Sequence, residues 1–359
     1  MLTNNLLMGA LRRSSAGVKH HLEDAGQRLK RTLLRTGLAP APFRIKVSVT
    51  DRCNFHCPTC WRWKGARPQE ELSAAQWKIV FRGLRGLPLM NEVTIGGGEP
   101  FARPDILEIL ESAKAEGFYT AVISNGWNVT LETLRELSRL GVNRLMMSLN
   151  SLNEAVHDKT RHAPGSGRRV LGAIEAWRSF RKPELAIETL VMEDNVGELA
   201  DLARFIRDSG AQGLVLQALA PAETHYPFAG HDTMPALAPD WYKENPLWVR
   251  SLDVLRAQLA EIRALKRAGA PVFNPTWQLE CMAAYFENPQ SILSVPCVGP
   301  VSTMNVDPFG HIRLCYGLAP IGNALRDSPR ALWRSAAARA QRRAMRSCDQ
   351  ICRILNCNL

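Results

Sequence analysis

The chain has no apolar run long enough to cross a bilayer, so no transmembrane helix is expected. Its first residues, MLTNNLLMGALRRSSAGVKHH, lack the order of a secretory signal, because the arginine pair follows a short, weak apolar patch. No apolar run comes after Arg12-Arg13, as a twin-arginine signal requires. A cytoplasmic location is therefore expected. Internal repeats and low-complexity tracts are missing, apart from an alternation of strands and helices. Acidic residues are in short supply, 34 against 45 Lys and Arg, which leaves a formal charge of +11. Much of the excess sits near the ends, as in RDSPRALWRSAAARAQRRAMR (326–346), and reads as a solvated helix face, with an anionic partner as the alternative. No RNA motif or aromatic interleaving accompanies it, so no nucleic-acid partner is expected. Disulfides are not expected either: the nine cysteines are odd in number and clustered, at 53, 57 and 60 and then at 281, 297, 315, 348, 352 and 357, which points to metal.

What is present is a regular alternation. RIKVSV (44–49), EVTIG (92–96), FYTAVIS (118–124), NRLMMSL (143–149), ELAIETLVM (184–192) and GLVLQAL (213–219) read as strands. Helical spacing fills 73–86, 103–117, 130–141, 168–180 and 196–210, with Ser73 as a cap and Gly117 and Gly141 as stops. Six strands alternating with five helices imply a parallel sheet with right-handed crossovers. Six are too few for a closed eightfold barrel, so the expected fold is α/β, an open partial (βα)6 barrel with a small C-terminal extension. The expected organisation is an N-terminal helical extension (1–43), the barrel (44–220), a loop and linker helix (221–280) and a cysteine-rich domain (281–359). Helical spacing in 20–36 places Leu22, Ala25, Leu29 and Leu33 on one face, expected to dock on the barrel rather than lie on a membrane.

Ligands of open α/β sheets bind beyond the carboxyl ends of the strands. CNFHCPTC follows the first strand, GGGEP (96–100) the second, SNG (124–126) the third and SLN (148–150) the fourth, so every unusual motif falls at the same end. Three thiolates at Cys53, Cys57 and Cys60 can hold three corners of a [4Fe-4S] cube, leaving one iron open for another ligand. A structural zinc site would want four closed ligands; His56 is the only neighbouring candidate for the fourth.

The spacing Cys-x3-Cys-x2-Cys resembles the radical S-adenosylmethionine (SAM) enzymes, and the likeness continues through GGGEP, SNG and SLNSLNEAVHDKTR over about residues 44–219. The resemblance implies that the triplet ligates a cluster whose fourth iron takes SAM. It implies that Gly97 and Gly98 let the backbone approach the methionine amino group, with Glu99 as partner for that ammonium. Ser124, Asn125 and Ser148 would line the ribose or carboxylate side, and Arg161 would pair with a carboxylate. Reductive cleavage of SAM would give a 5′-deoxyadenosyl radical, the electron coming from a flavodoxin or ferredoxin. The residue before the third cysteine is usually aromatic in this family; here it is Thr59, which makes Trp61 the candidate cover for adenine. Asn150 stands where Asp is common.

CVGPVSTMNVDPFGHIRLC, with Gly310 five positions before Cys315, and the ending CDQICRILNC resemble the SPASM and twitch extensions of the same enzymes. They imply one auxiliary [4Fe-4S] cluster held by Cys297, Cys315 and two of Cys348, Cys352 and Cys357; a zinc ribbon is the alternative. Cys281 is either a core residue or a hydrogen donor to a substrate radical. The expected substrate is a small biosynthetic intermediate such as a sugar, aminocyclitol or nucleoside, undergoing dehydrogenation or epimerisation. The alternative is a ribosomally made peptide, set lower because some 43 residues before the first strand are too few for a leader-gripping winged helix. A nonenzymatic iron–sulfur or zinc protein is a third reading. His225, Tyr226, His231, Asp232 and Tyr242 lie in the loop expected near substrate.

Overall fold

The computed structural model describes residues 26, 28–60, 62–64, 70–89, 91–220 and 240–354. Six strands, β1 (Arg44–Thr50), β2 (Glu92–Gly97), β3 (Tyr119–Ser124), β4 (Arg144–Ser148), β5 (Glu184–Val191) and β6 (Gly213–Ala218), run parallel in sequence order. Strand β6 is buried almost throughout, whereas β4 alternates between buried and half-buried positions and β1 does so over its first half. The crossover helices are α1 (Ala74–Leu84), α2 (Ile106–Ala115), α3 (Leu131–Arg139), α4 (Glu154–Arg161) with α5 (Ser166–Trp177), and α6 (Leu199–Ser209). This is the expected open (βα)6 partial barrel. Helix α4, inside the stretch read as a motif, is an addition to the predicted elements.

Local chemistry fixes the ends. Ser73 accepts from the Gln76 N–H while the Gln76 side chain accepts from the Ser73 N–H, a reciprocal cap that starts α1. Trp77, Val80, Phe81 and Leu84 then line the buried face at helical spacing.

Beyond β6 the chain forms α7 (Leu252–Arg267) and α8 (Thr276–Glu287). The edge of β6 is held by Asn274, which is fully buried: its Oδ1 accepts from the Leu216 N–H at 2.7 Å and its Nδ2 donates to the Leu216 carbonyl at 2.6 Å. Tyr242, expected near substrate, packs on Trp248 with ring centroids 5.3 Å apart, in a group with Trp241, Tyr285 and Phe286. Its neighbours are aromatic, which polar-loop reasoning does not anticipate. The other four loop candidates, His225, Tyr226, His231 and Asp232, lie outside the described residues.

The C-terminal region continues the same sheet. Strand β7 (Thr303–Val306) pairs parallel with β1 on the side away from β2, followed by the antiparallel β8 (His311–Arg313) and β9 (Gly322–Asn323). Helices α9 (Pro329–Trp333) and α10 (Ala336–Ala344) follow. Residues 28–36 are helical and sit against the amino ends of β1 and β2. The docking face differs from the predicted one: Leu29 is 49% exposed, whereas Lys30 is buried over the Phe43 ring. Burial and the neighbouring Arg44 lower the Lys30 pKa to about 7. No helix among the described residues is long and apolar enough to cross a membrane.

Replacing Asn274 by Ala should leave the Leu216 N–H and carbonyl buried and unpaired. A loss of roughly 1–3 kcal/mol in denaturant-measured stability is expected; an unchanged midpoint would show that β6 does not depend on this side chain.

Candidate functional site

The carboxyl ends of β1 to β4 converge, and the first contact that sets their geometry is between backbones. At the end of β2, a Cβ on Gly97 would lie 2.3 Å from the Thr50 carbonyl oxygen, and one on Gly98 would lie 2.0 Å from that of Arg52. Gly97 also has φ +134°, a conformation that side chains disfavour. The two glycines therefore press against the root of the cysteine loop, and Gly98 and Glu99 donate N–H groups to Thr50 and Arg52 at 2.7 and 2.9 Å.

Glu99 is fully buried. Its Oε1 accepts from the Phe101 N–H at 3.0 Å and the Ser124 hydroxyl at 2.9 Å, and its Oε2 from the Asn125 N–H at 2.6 Å. Burial pushes its pKa up, against these donors and Arg161. Asn125 in turn donates to the Asn54 side chain at 2.8 Å and accepts from the Trp127 N–H at 2.9 Å. Ser124 and Asn125 are buried. One carboxylate thus joins the GGE turn, the SNG segment and, through Asn54, the cysteine loop.

Cys53, Cys57 and Cys60 collect with Phe55, Ala163 and Trp127 in a small apolar group separate from the main core. Burial pushes the Cys53 thiol up to about 11 and the Cys57 thiol also upward, the latter opposed by Arg161. Among the described residues no three Cys, His, Asp or Glu side chains converge on a point that could hold a single metal ion. Each iron of a cubane takes its own sulfur, and the three thiols lie within electrostatic range of one another. Proton release accompanies metal binding at such thiols.

Arg161, half-buried at the end of α4, lies over the Phe55 ring at 5.8 Å and within electrostatic range of Cys57, Glu99 and His157. Its Nε has no partner among the described residues. Ser148 is half-buried at the end of β4. Asn150 is a buried hub: its N–H donates to His157 Nδ1, its Nδ2 to Thr160, and its Oδ1 accepts from the Leu190 N–H. Burial and Arg161 lower the His157 pKa to about 4. Asp158 anchors the next helix. Its carboxylate accepts from the Gly165 and Gly167 N–H groups at 2.5 and 2.7 Å and from the Ser166 hydroxyl at 2.9 Å. These donors overcome burial and lower its pKa.

Two aromatic residues went unnoticed in the sequence. Trp63 donates Nε1–H to the Cys57 carbonyl at 3.0 Å, and Trp127 meets Phe55 edge-on at 5.5 Å with the Arg169 guanidinium 4.0 Å from its ring. Their signal was proximity alone, one three residues past the triplet and one directly after SNG. Trp61 lies outside the described residues.

None of the eight described cysteines is in a disulfide. Cys297 follows the helical turn Pro289–Ser294, against which the turn Cys352–Ile354 packs. Arg353 ties this region together by donating to the Val295 carbonyl at 2.7 Å and to that of Cys348. Cys315 ends the hairpin and accepts from the Gly317 N–H. Cys357 is outside the described residues. Cys281 sits in α8, half-buried on the main core and apart from the triplet group.

Asp158→Ala should release the start of α5 and cost about 1–2 kcal/mol by chemical denaturation. Because the folded-state pKa of Asp158 is lowered, its contribution is full above the ordinary carboxylate pKa and fades as pH falls through the folded value. The gap between wild type and variant should close in acid; a pH-independent gap would contradict this anchor.

Comparison with known proteins places this geometry. The model of the radical SAM superfamily matches residues 47–206. The PqqA peptide cyclase of Streptomyces rochei is 28% identical over 314 residues, 82% of this chain and 76% of that protein; other relatives are matched over roughly half of their own length. The crystal structure of Streptococcus suis SuiB bound to precursor peptide SuiA has a TM-score of 0.64 at 14% identity, covering 92% of this chain and 72% of that one. Native anSMEcpe with bound AdoMet and Cp18Cys peptide has a TM-score of 0.57 at 13% identity, covering 86% and 85%. These matches overturn the small-molecule partner expected from the sequence, since the proteins they name are a peptide cyclase and two peptide-bound enzymes. That expectation rested on the short stretch before the first strand, which bears on how a leader is held and not on what enters the barrel. The barrel segment, residues 47–206, matches the radical SAM superfamily, and the chain as a whole shares the fold of SuiB and anSMEcpe.

Proposed function

We propose that this radical SAM enzyme is a maturase that modifies a ribosomally made peptide. The observation that carries the reading is the peptide-cyclase match over 82% of the chain, too long to be the barrel alone. In this reading Cys53, Cys57 and Cys60 hold a [4Fe-4S] cluster and SAM takes its remaining corner. The chemistry it would supply there is cleavage of the SAM carbon–sulfur bond by one electron from an external reductant, releasing methionine and a 5′-deoxyadenosyl radical that would remove hydrogen from an unactivated carbon.

The chain's own residues orient and enclose. Gly97 and Gly98 fix the cysteine loop against β2. Glu99 holds Phe101, Ser124 and Asn125 with three hydrogen bonds, and the acceptor site left on Oε2 is the one it would offer to the SAM ammonium. Asn125, Ser148 and Arg161 are the groups offered to SAM, with Arg161 the cation for its carboxylate. Trp63 and Trp127 wall the triplet from water, a role Trp61 would share. Cys297, Cys315, Cys348 and Cys352, with Cys357 as the alternative fourth, are the ligands proposed for an auxiliary cluster. Cys281 is left to packing.

Anaerobic reconstitution should give about eight irons per chain, and about four when Cys53, Cys57 and Cys60 are all Ala. That triple variant should lose dithionite-dependent SAM cleavage, and persistent cleavage would refute the triplet assignment. Glu99→Gln should keep its iron but cleave SAM slower by on the order of a hundredfold, because one of its buried acceptors becomes a donor facing a donor. A short peptide encoded beside the gene, incubated with enzyme, SAM and dithionite, should change mass in a SAM-dependent manner. Turnover of SAM with no peptide modified would sink the maturase reading.

A further inference from the structure

The positive charge of the chain is sorted over its surface. On the outer helices several arginines are paired: Arg135, Arg139, Arg178, Arg204 and Arg256 each have a carboxylate within 3.2 Å, whereas Arg169 and Arg267 have no such partner among the described residues. Arg330, Arg334, Arg339, Arg343 and Arg346, all exposed on and after α9 and α10, form no ion pair with a described carboxylate. Neither do Arg28, Arg31 and Arg35 of the helical segment 28–36.

These two groups share one end of the molecule. Arg346 reaches Gly37, where an added Cβ would meet its Nη2 at 2.7 Å. Trp333 donates to the Ala39 carbonyl at 2.8 Å, Arg334 to that of Pro40 at 3.2 Å, and Arg330 to that of Gly86 at 3.1 Å. Residues 39–43 and 86–91 lead into β1 and β2, so this end carries the amino termini of the strands, opposite the cysteine triplet. Large apolar side chains are exposed among the arginines: Leu38 is 63% exposed, Leu29 49% and Leu89 41%, and the Leu89 N–H donates to the Pro42 carbonyl.

From this placement we infer that the base of the barrel is a peripheral docking surface for an anionic lipid bilayer. Arginines with no described carboxylate partner, interspersed with exposed leucines, match headgroup phosphates above an acyl boundary. A peptide substrate or an electron donor must reach the mouth, and this face is at the other end. A bilayer held here leaves the mouth open to water. The docked N-terminal helix, set aside as a membrane contact on its own, becomes one part of a larger face that the fold assembles from both ends of the chain.

Flotation of the full chain with vesicles tests this without SAM or iron, so its outcome is independent of the maturase reading. Binding should be at least severalfold stronger to phosphatidylcholine vesicles containing about 30% phosphatidylglycerol than to pure phosphatidylcholine, and should fall sharply between about 0.05 M and about 0.5 M salt. Arg31→Glu/Arg35→Glu/Arg343→Glu should lose most of that binding, and Leu38→Asp part of it. Arg135→Glu/Arg139→Glu should not. Equal binding to both vesicle types, or none, overturns the proposal in the wild-type protein alone. So does capture of a labelled hexaglutamate peptide without vesicle binding, which would mark the face as a dock for an acidic protein.

Discussion

Two glycine hydrogens set the architecture of this site. With a Cβ at either Gly97 or Gly98, the end of β2 and the root of the cysteine loop would overlap by more than an ångström. Because they do not, the Gly98 and Glu99 N–H groups reach the Thr50 and Arg52 carbonyls, and the Glu99 side chain enters the interior instead of solvent. A buried carboxylate is tolerated only with full hydrogen bonding, and Glu99 finds its donors on the next strand end. The Asn125–Asn54 bond returns the chain of contacts to the loop where it began. Three strand ends are therefore held by one closed circuit of polar contacts, with the cysteine triplet hanging from it.

Electrostatics are arranged around the same circuit. Arg161 is the cation within range of Cys57, Glu99 and His157, and it pushes each of them toward its less positive form. His157 is fixed in its neutral state by burial and by accepting the Asn150 N–H through Nδ1. One guanidinium thus lies over Phe55 close to the thiols, and a second, Arg169, lies over Trp127 beside them.

Much of this was legible in the sequence, and the unread portion has physical causes. Strand and helix alternation is a local signal, so the six strands and the end of the sheet that carries the motifs could be read directly. GGGEP announced a close approach, but its partner was a matter of tertiary contact; the glycines meet Thr50 and Arg52 of the chain itself. Asn150 looked like a substitution for Asp, whereas its amide both donates and accepts, to Thr160 and from Leu190, which a carboxylate cannot do. Trp63 and Trp127 carry no pattern that distinguishes them from packing residues. Lys30 and Leu29 exchange their expected places because the Phe43 ring offers a cation a face to rest on. The peptide reading was available as an alternative and ranked too low, since a barrel's reactive end does not encode the size of what enters it.

The pairing of β7 with β1 has a mechanical consequence. Strand β1 is the innermost element of the barrel's opening edge, and its far side would present a row of bare peptide groups if the C-terminal hairpin were removed. The extension cannot be shed as a passive appendage. Cutting the chain before Thr303 would turn the strand that carries the cysteine triplet into an adhesive margin, ready to pair with another chain. Integrity of the second cysteine region and solubility of the first are thereby one property of a single sheet.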